Sequence, residues 1–167
     1  MGIGNSISDR EIKEKDIQKE SFSNSSISEL QEKAKTEPLE LSLGDWKRIL
    51  TPAQFHVTRL KGTERAFTSP LNKINKNGNF LCVNCENSLF KYKTKFNSGT
   101  GWPSFYAPIN ERASVATTTD YNIGVARTEV HCARCGAHLG HVFNDGPKPT
   151  GQRYCINGAA LKFVGEK

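Results

Sequence analysis

From Phe80 to the C-terminus, apolar and polar residues alternate in short runs punctuated by Gly, Pro, Asn and Asp. A period of two puts successive side chains on opposite faces, so these runs read as half-buried strands. They predict strands over 79–83, 88–93, 113–119, 123–126, 128–131, 141–143, 153–156 and 160–164. Strands this short and close in sequence predict a mainly β fold of antiparallel sheets, a sandwich or open barrel. Short helices come first. Asp45 is placed to cap a helix running from Trp46 to Leu50, and Thr51-Pro52 reads as an N-cap followed by proline at the first helical position, opening a second helix through Gln54 and Phe55. Gly62, Pro70 and the polar run 72–79 mark loops.

Residues 1–40 break the pattern. Ser, Asn, Glu and Lys dominate, and Ile12, Ile17 and Leu30 are too sparse to bury much surface. Such a segment does not offset its ordering entropy, so 1–40 is predicted to be a disordered polar tail and 41–167 the folded domain. The first six residues, Met-Gly-Ile-Gly-Asn-Ser, match the N-myristoylation pattern at Gly2; the alternative is an unmodified terminus. One acyl chain with no polybasic partner predicts weak, reversible membrane association.

Hydrophobic residues make up 36% of the 167, which suits one small core in need of a staple. No run approaches the roughly 18 apolar residues of a membrane span. No basic-then-apolar signal opens the chain, so the expected compartment is the reducing cytosol. Charge is net −3 over 1–40 and net +9 over the remainder. A basic domain would suit nucleic acid, but Lys73, Lys76, Lys91, Lys93 and Lys95 form no dense stripe, and no nucleic-acid partner is predicted.

The cysteines are the staple. Cys82-Val83-Asn84-Cys85 and Cys132-Ala133-Arg134-Cys135 are two C-x-x-C units, and four thiolates are a full tetrahedral set for zinc. With no position left for water, the zinc is expected to be structural. Two redox-active dithiols are the weaker alternative, because neither pair sits in a βαβ pattern. The fifth cysteine, Cys155, stands apart in Arg153-Tyr154-Cys155-Ile156-Asn157. Alone it reads either as a small buried apolar residue or as a nucleophile. His138 and His141, Trp102 and Arg153 offer an acid, an apolar wall and a positive charge, which favours chemistry; a zinc-bearing binding module is the rival.

The strings Gly101-Trp102-Pro103-Ser104-Phe105, 132–143 (CARCGAHLGHVF) and 145–163 (DGPKPTGQRYCINGAALKF), with both C-x-x-C pairs, resemble methionine-R-sulfoxide reductase B over residues 41–167. The stretch 52–58 with Gly62-Thr63-Glu64 resembles that family's N-terminal region. The resemblance implies two antiparallel sheets, a structural zinc, and thiol-dependent reduction of the R epimer of methionine sulfoxide, free or in oxidised proteins. It implies Cys155 as nucleophile passing through a sulfenic acid, His141 as proton donor with His138 assisting, and Trp102 against the substrate methyl. Phe143 would line the pocket, Arg153 favour the thiolate, and Asn157 orient the site. Many members carry a resolving cysteine directly before GWPSF, where this chain has Thr100. The expected mechanism therefore uses one cysteine, regenerated by thioredoxin, glutaredoxin with glutathione, or another external thiol. The expected state is a monomer.

Overall fold

Alternation along the strands builds two antiparallel sheets that share one core. The computed structural model describes residues 24–121 and 123–167; the pattern at Gly2 lies outside them. Strands β1 (Gly78–Cys82), β2 (Ser88–Lys91) and β9 (Leu161–Gly165) form a sheet in the order β2-β1-β9. Strands β3 (Lys95–Phe96), β4 (Ser104–Phe105), β5 (Val115–Asp120), β6 (Arg127–Cys132), β7 (His138–Phe143) and β8 (Arg153–Ile156) form the second, in the order β3-β4-β8-β7-β6-β5. The expected mainly β architecture is observed.

The inner faces meet through aromatic rings. Phe105 on β4 stacks on Phe90 of β2 at 4.4 Å and meets Phe80 of β1 edge-on at 5.0 Å. Tyr154 and Ile156 of β8 and Val130 of β6 complete this core. Period two then assigns the outer face: with Tyr154 and Ile156 turned inward, Arg153 and Cys155 turn outward. The core thus fixes which side of the large sheet carries the chemistry.

Each C-x-x-C unit is the turn of a hairpin, one per sheet. Cys82 ends β1 and Cys132 ends β6; in each turn the backbone N–H four residues on, Glu86 or Gly136, donates to the cysteine carbonyl at 2.8 and 2.9 Å. Both donors adopt positive φ, 63° at Glu86 and 75° at Gly136.

Helices α1 (Ile27–Thr36), α2 (Leu43–Ile49) and α3 (Pro52–Thr58) precede the sheets. Thr51 caps α3, with Gln54 returning the bond to the Thr51 N–H. In α2 the cap is Ser42 rather than Asp45: the Asp45 N–H donates to Ser42 Oγ and the Ser42 N–H to Asp45 Oδ2, which places Asp45 in the first turn. The predicted tail needs correction over 24–40. Ser26 caps α1, Leu30 is 1% exposed, and Ala34 packs with Leu41, Trp46 and Phe55 in a second apolar cluster. Two well-placed apolar residues suffice because other elements supply the rest of the surface. The strand expected over 123–126 is instead the β5–β6 connection, where Gly124 takes φ 76° and Ile123 and Val125 are exposed. No helix among the described residues is long and apolar enough to cross a membrane.

Candidate active site and metal centre

The register of the large sheet lays the reactive residues in one row. Glu129 on β6 pairs with His141 on β7, His141 with Cys155 on β8, and Cys155 with Ser104 on β4. Paired residues in adjacent strands share a face, so these four side chains stand side by side on the outer face. Phe143 pairs with Arg153 one step along the same face.

His138 lies three residues from His141, and regular alternation would send it into the core. A bulge prevents this. Val130 pairs with Gly140 but His131 pairs with His138, so Leu139 is the extra residue on β7. The bulge returns His138 to the face of His141, with the rings 5.6 Å apart. The Leu139 carbonyl is taken by Asn157, whose backbone N–H donates at 2.9 Å and whose Nδ2 donates at 3.0 Å.

Two carboxylates that sequence reasoning did not single out hold the histidines. Asp120 Oδ2 lies 2.8 Å from His141 Nε2, and Glu129 Oε1 lies 3.1 Å from His138 Nδ1. A carboxylate only accepts, so His141 carries its proton on Nε2 and His138 on Nδ1. Arg127, also not foreseen, reaches Asp120 at 3.4 Å and lines the pocket. These residues sit on β5 and β6, and only pairing brings them to the histidines. Burial pushes the His138 ring below the ordinary histidine value, with the Glu129 hydrogen bond pulling part of the way back.

A cavity of about 280 Å³ opens over this row. Trp102, Phe143, Arg153, Cys155, His141 and Asn157 all line it; His138 stands behind the wall, 4% exposed. Six of the seven expected pocket and catalytic residues therefore converge on one cavity. Glu64 ties two walls together: its carbonyl accepts from Trp102 Nε1 at 3.1 Å, and its N–H donates to Asn157 Oδ1 at 3.0 Å. Trp102 and Phe143 supply flat apolar surface, Cys155 a sulfur, and His141 an imidazole nitrogen able to carry a proton.

Arg153 is not a free charge beside the thiol. Its Nε and Nη2 donate to the two Asp145 oxygens at 2.9 and 3.1 Å, and its guanidinium lies 4.4 Å over the Phe143 ring. Burial pushes the Cys155 thiol above its ordinary value; the Thr100 hydroxyl, and after it the Arg153 charge, pull the other way without prevailing. Thr100 Oγ1 is 3.9 Å from Cys155 Sγ.

The other four cysteines form a separate group. The sulfurs of Cys82, Cys85, Cys132 and Cys135 all lie within 4.8 Å of one another and are buried, an arrangement able to hold a metal ion. The closest pairs, Cys82–Cys135 and Cys85–Cys132, are each 3.6 Å apart. Hydrogen bonding among the sulfurs pulls the Cys132 thiol below its ordinary value and pushes the Cys82 thiol above it. Arg134, inside the second unit, donates to the Cys85 carbonyl at 3.3 Å and to the Lys35 carbonyl at the end of α1.

Residues 50–165 match the SelR domain. The chain is 52% identical over 126 residues to the peptide methionine sulfoxide reductase MsrB of Pseudomonas syringae pv. syringae, covering 75% of this chain and 95% of that protein. It is 53% identical over 122 residues to the protein of the same name from Leptospira interrogans, covering 73% and 92%. To the chloroplastic peptide methionine sulfoxide reductase B1 of Arabidopsis thaliana it is 53% identical over 135 residues, covering 80% and 66%.

Proposed function

The chain belongs to the SelR-domain family of MsrB peptide methionine sulfoxide reductases, and we propose that it reduces the R epimer of methionine sulfoxide to methionine, with Cys155 as nucleophile and an external thiol as reductant. The observation that carries the proposal is the cross-strand pair His141–Cys155 at the floor of a cavity walled by Trp102 and Phe143. The R assignment rests on the family resemblance carried by the GWPSF, CARCGAHLGHVF and DGPKPTGQRYCINGAALKF strings with both C-x-x-C pairs.

The sulfoxide methyl packs on Trp102, and the oxygen points at His141. Cys155 sulfur attacks the substrate sulfur as the thiol proton, taken up by His141 Nδ1, the nitrogen that Asp120 leaves unprotonated, passes to the sulfoxide oxygen. A neutral sulfoxide is a poor electrophile, and acid assistance of this kind is worth about 10²–10⁴-fold. The S–O bond breaks and the oxygen passes to Cys155. Methionine sulfur gains two electrons, Cys155 sulfur loses two, and the thiol proton ends on the sulfenic acid. His138, braced by Glu129, backs His141 in the row. An external thiol then attacks the Cys155 sulfenic sulfur and expels water. A second thiol displaces Cys155 from the mixed disulfide. Thioredoxin, or glutaredoxin with glutathione, has the required chemistry.

The four-sulfur group is read as a structural zinc site. A tetrahedron with Zn–S of about 2.3 Å has edges of about 3.8 Å, close to the 3.6 Å sulfur pairs. Zinc there supplies folding energy by locking the β1–β2 hairpin to the β6–β7 hairpin, and takes no part in the reaction. This leaves Cys155 as the only thiol outside the metal set, which favours a one-cysteine mechanism. Intact-mass measurement after a single turnover without reductant tests it. The expected product is a protein heavier by one oxygen that reacts with a sulfenic-acid probe at Cys155; an intramolecular disulfide would overturn the one-cysteine cycle.

A further inference from the structure

Thr100 directly precedes Gly101-Trp102 beside Cys155, and it is wired to other hydroxyls. Ser98 Oγ lies 2.8 Å from Thr100 Oγ1 and 2.7 Å from Ser104 Oγ, and Ser104 Oγ lies 3.1 Å from the Trp102 carbonyl. Ser104 is fully buried and sits directly across from Cys155 in the sheet. The backbone N–H of Trp102 donates to Thr100 Oγ1 at 3.4 Å.

Counting protons gives this chain a direction. The Trp102 N–H can only donate, so one lone pair of Thr100 is committed to accepting. Ser98 has one proton for two neighbours. When Ser98 donates to Thr100, the Thr100 proton is left for the Cys155 sulfur, and Ser104 satisfies itself on Ser98 or the Trp102 carbonyl. A thiolate cannot donate, so forming it selects this arrangement.

We propose that Thr100 is a further catalytic residue: its hydroxyl, oriented by Ser98 and Ser104, donates to the Cys155 thiolate and afterwards to the sulfenic acid. The contact is 3.9 Å long; hydrogen bonds to charged acceptors are shorter and stronger, so it tightens as the sulfur ionises. The role matters because Arg153, the charged group acting in this direction, is shared with Asp145 and Phe143. It also suits a cycle with no internal resolving thiol, in which the sulfenic acid must persist until an external one arrives. The inference rests on Cys155 as nucleophile.

The test is the pH dependence of Cys155 alkylation by iodoacetamide in the metal-loaded full chain, followed by mass on the Cys155 peptide. Charged groups around the sulfur are the same in all variants: Arg153 and Asp145, His141 and Asp120, Arg127, and Glu129 with Lys61. Thr100→Val keeps the shape and removes the donor; below the titration midpoint its Cys155 should alkylate about ten-fold more slowly. Thr100→Ser should restore the wild-type profile. Coincident wild-type and Val profiles overturn the proposal, and so does a Ser variant that behaves like Val, which would assign the effect to packing. Alkylation does not require turnover. A shifted profile in a protein that reduces no sulfoxide would therefore leave this donor role standing and remove the proposed reaction instead.

Discussion

Adding a single carbon at Gly140 should disable the site without touching any reacting group. Gly140 pairs with Ile156 beside the His141–Cys155 pair. A Cβ built there would lie 2.0 Å from the Cys155 carbonyl oxygen and 3.0 Å from the Ile156 Cα. Both neighbours are backbone, so no side chain can swing away. Ordinary C···O contact needs about 3.3 Å, so β7 and β8 must separate or slide by more than about 1 Å. Misplacement on this scale costs about 10²-fold when reacting groups must meet in line, or about 2.7 kcal/mol of barrier. Overpacking should also cost about 1–3 kcal/mol of stability. The assay is dithiothreitol-driven turnover of a methionine sulfoxide peptide by Gly140→Ala, with metal content and a denaturation curve to establish the fold. A folded, metal-bearing Gly140→Ala with wild-type kcat/KM would refute the claim that the alignment of these two strands governs the rate.

Thr100→Cys should recreate an internal resolving thiol, since a sulfur there starts about as close to Cys155 Sγ as the present 3.9 Å contact. After one turnover without reductant, its intact mass should show a disulfide between the introduced thiol and Cys155 in place of added oxygen, and persistence of the oxygen adduct contradicts the geometry. His138 titrates below its ordinary value in the folded state because of burial, so the unfolded chain takes up that proton first as pH falls. Its contribution to stability should decline below about pH 6.5, by at most about 1.4 kcal/mol per unit. Denaturant midpoints across pH should therefore fall more steeply for wild type than for His138→Gln, and equal slopes argue against the reading. Stripping the metal should destabilise the fold and free α1, because Arg134 inside the second C-x-x-C unit bonds the α1 end. Amide exchange of residues 27–36 should accelerate in stripped protein, and unchanged exchange would disconnect the helix from the metal centre.

Local chemistry was legible in the sequence; lateral pairing was not. Four cysteines in two C-x-x-C units announced the buried four-sulfur cluster, and Thr51-Pro52 announced α3, because each signal is complete within a few residues. The strands β3 and β4 escaped notice, since two residues each give no period to read. Yet β4 carries Ser104 and Phe105, which link the site to the core. Asp120 and Glu129 were passed over because nothing in an alternating strand says which strand lies beside it. His138 and His141 were picked out as a pair, but the bulge at Leu139 that puts them on one face shows only in the register. Ile123 and Val125 looked like a strand because apolar alternation ran through the turn, where Gly124 reverses the chain and leaves both side chains exposed. Helix α1 was misread because its apolar positions are few and their partners, Leu41, Trp46 and Phe55, lie on following elements; Arg134 meets Lys35 across 99 positions.

The central claim is that Cys155 reduces one sulfoxide epimer in the Trp102–His141 cavity. It is tested most directly by turnover of peptides carrying separated R and S methionine sulfoxide with dithiothreitol, using wild type and Cys155→Ser. Reduction of the R peptide alone, abolished by Cys155→Ser in a folded, metal-bearing protein, is the predicted result. Equal reduction of both epimers, or activity that survives the loss of Cys155, would contradict it.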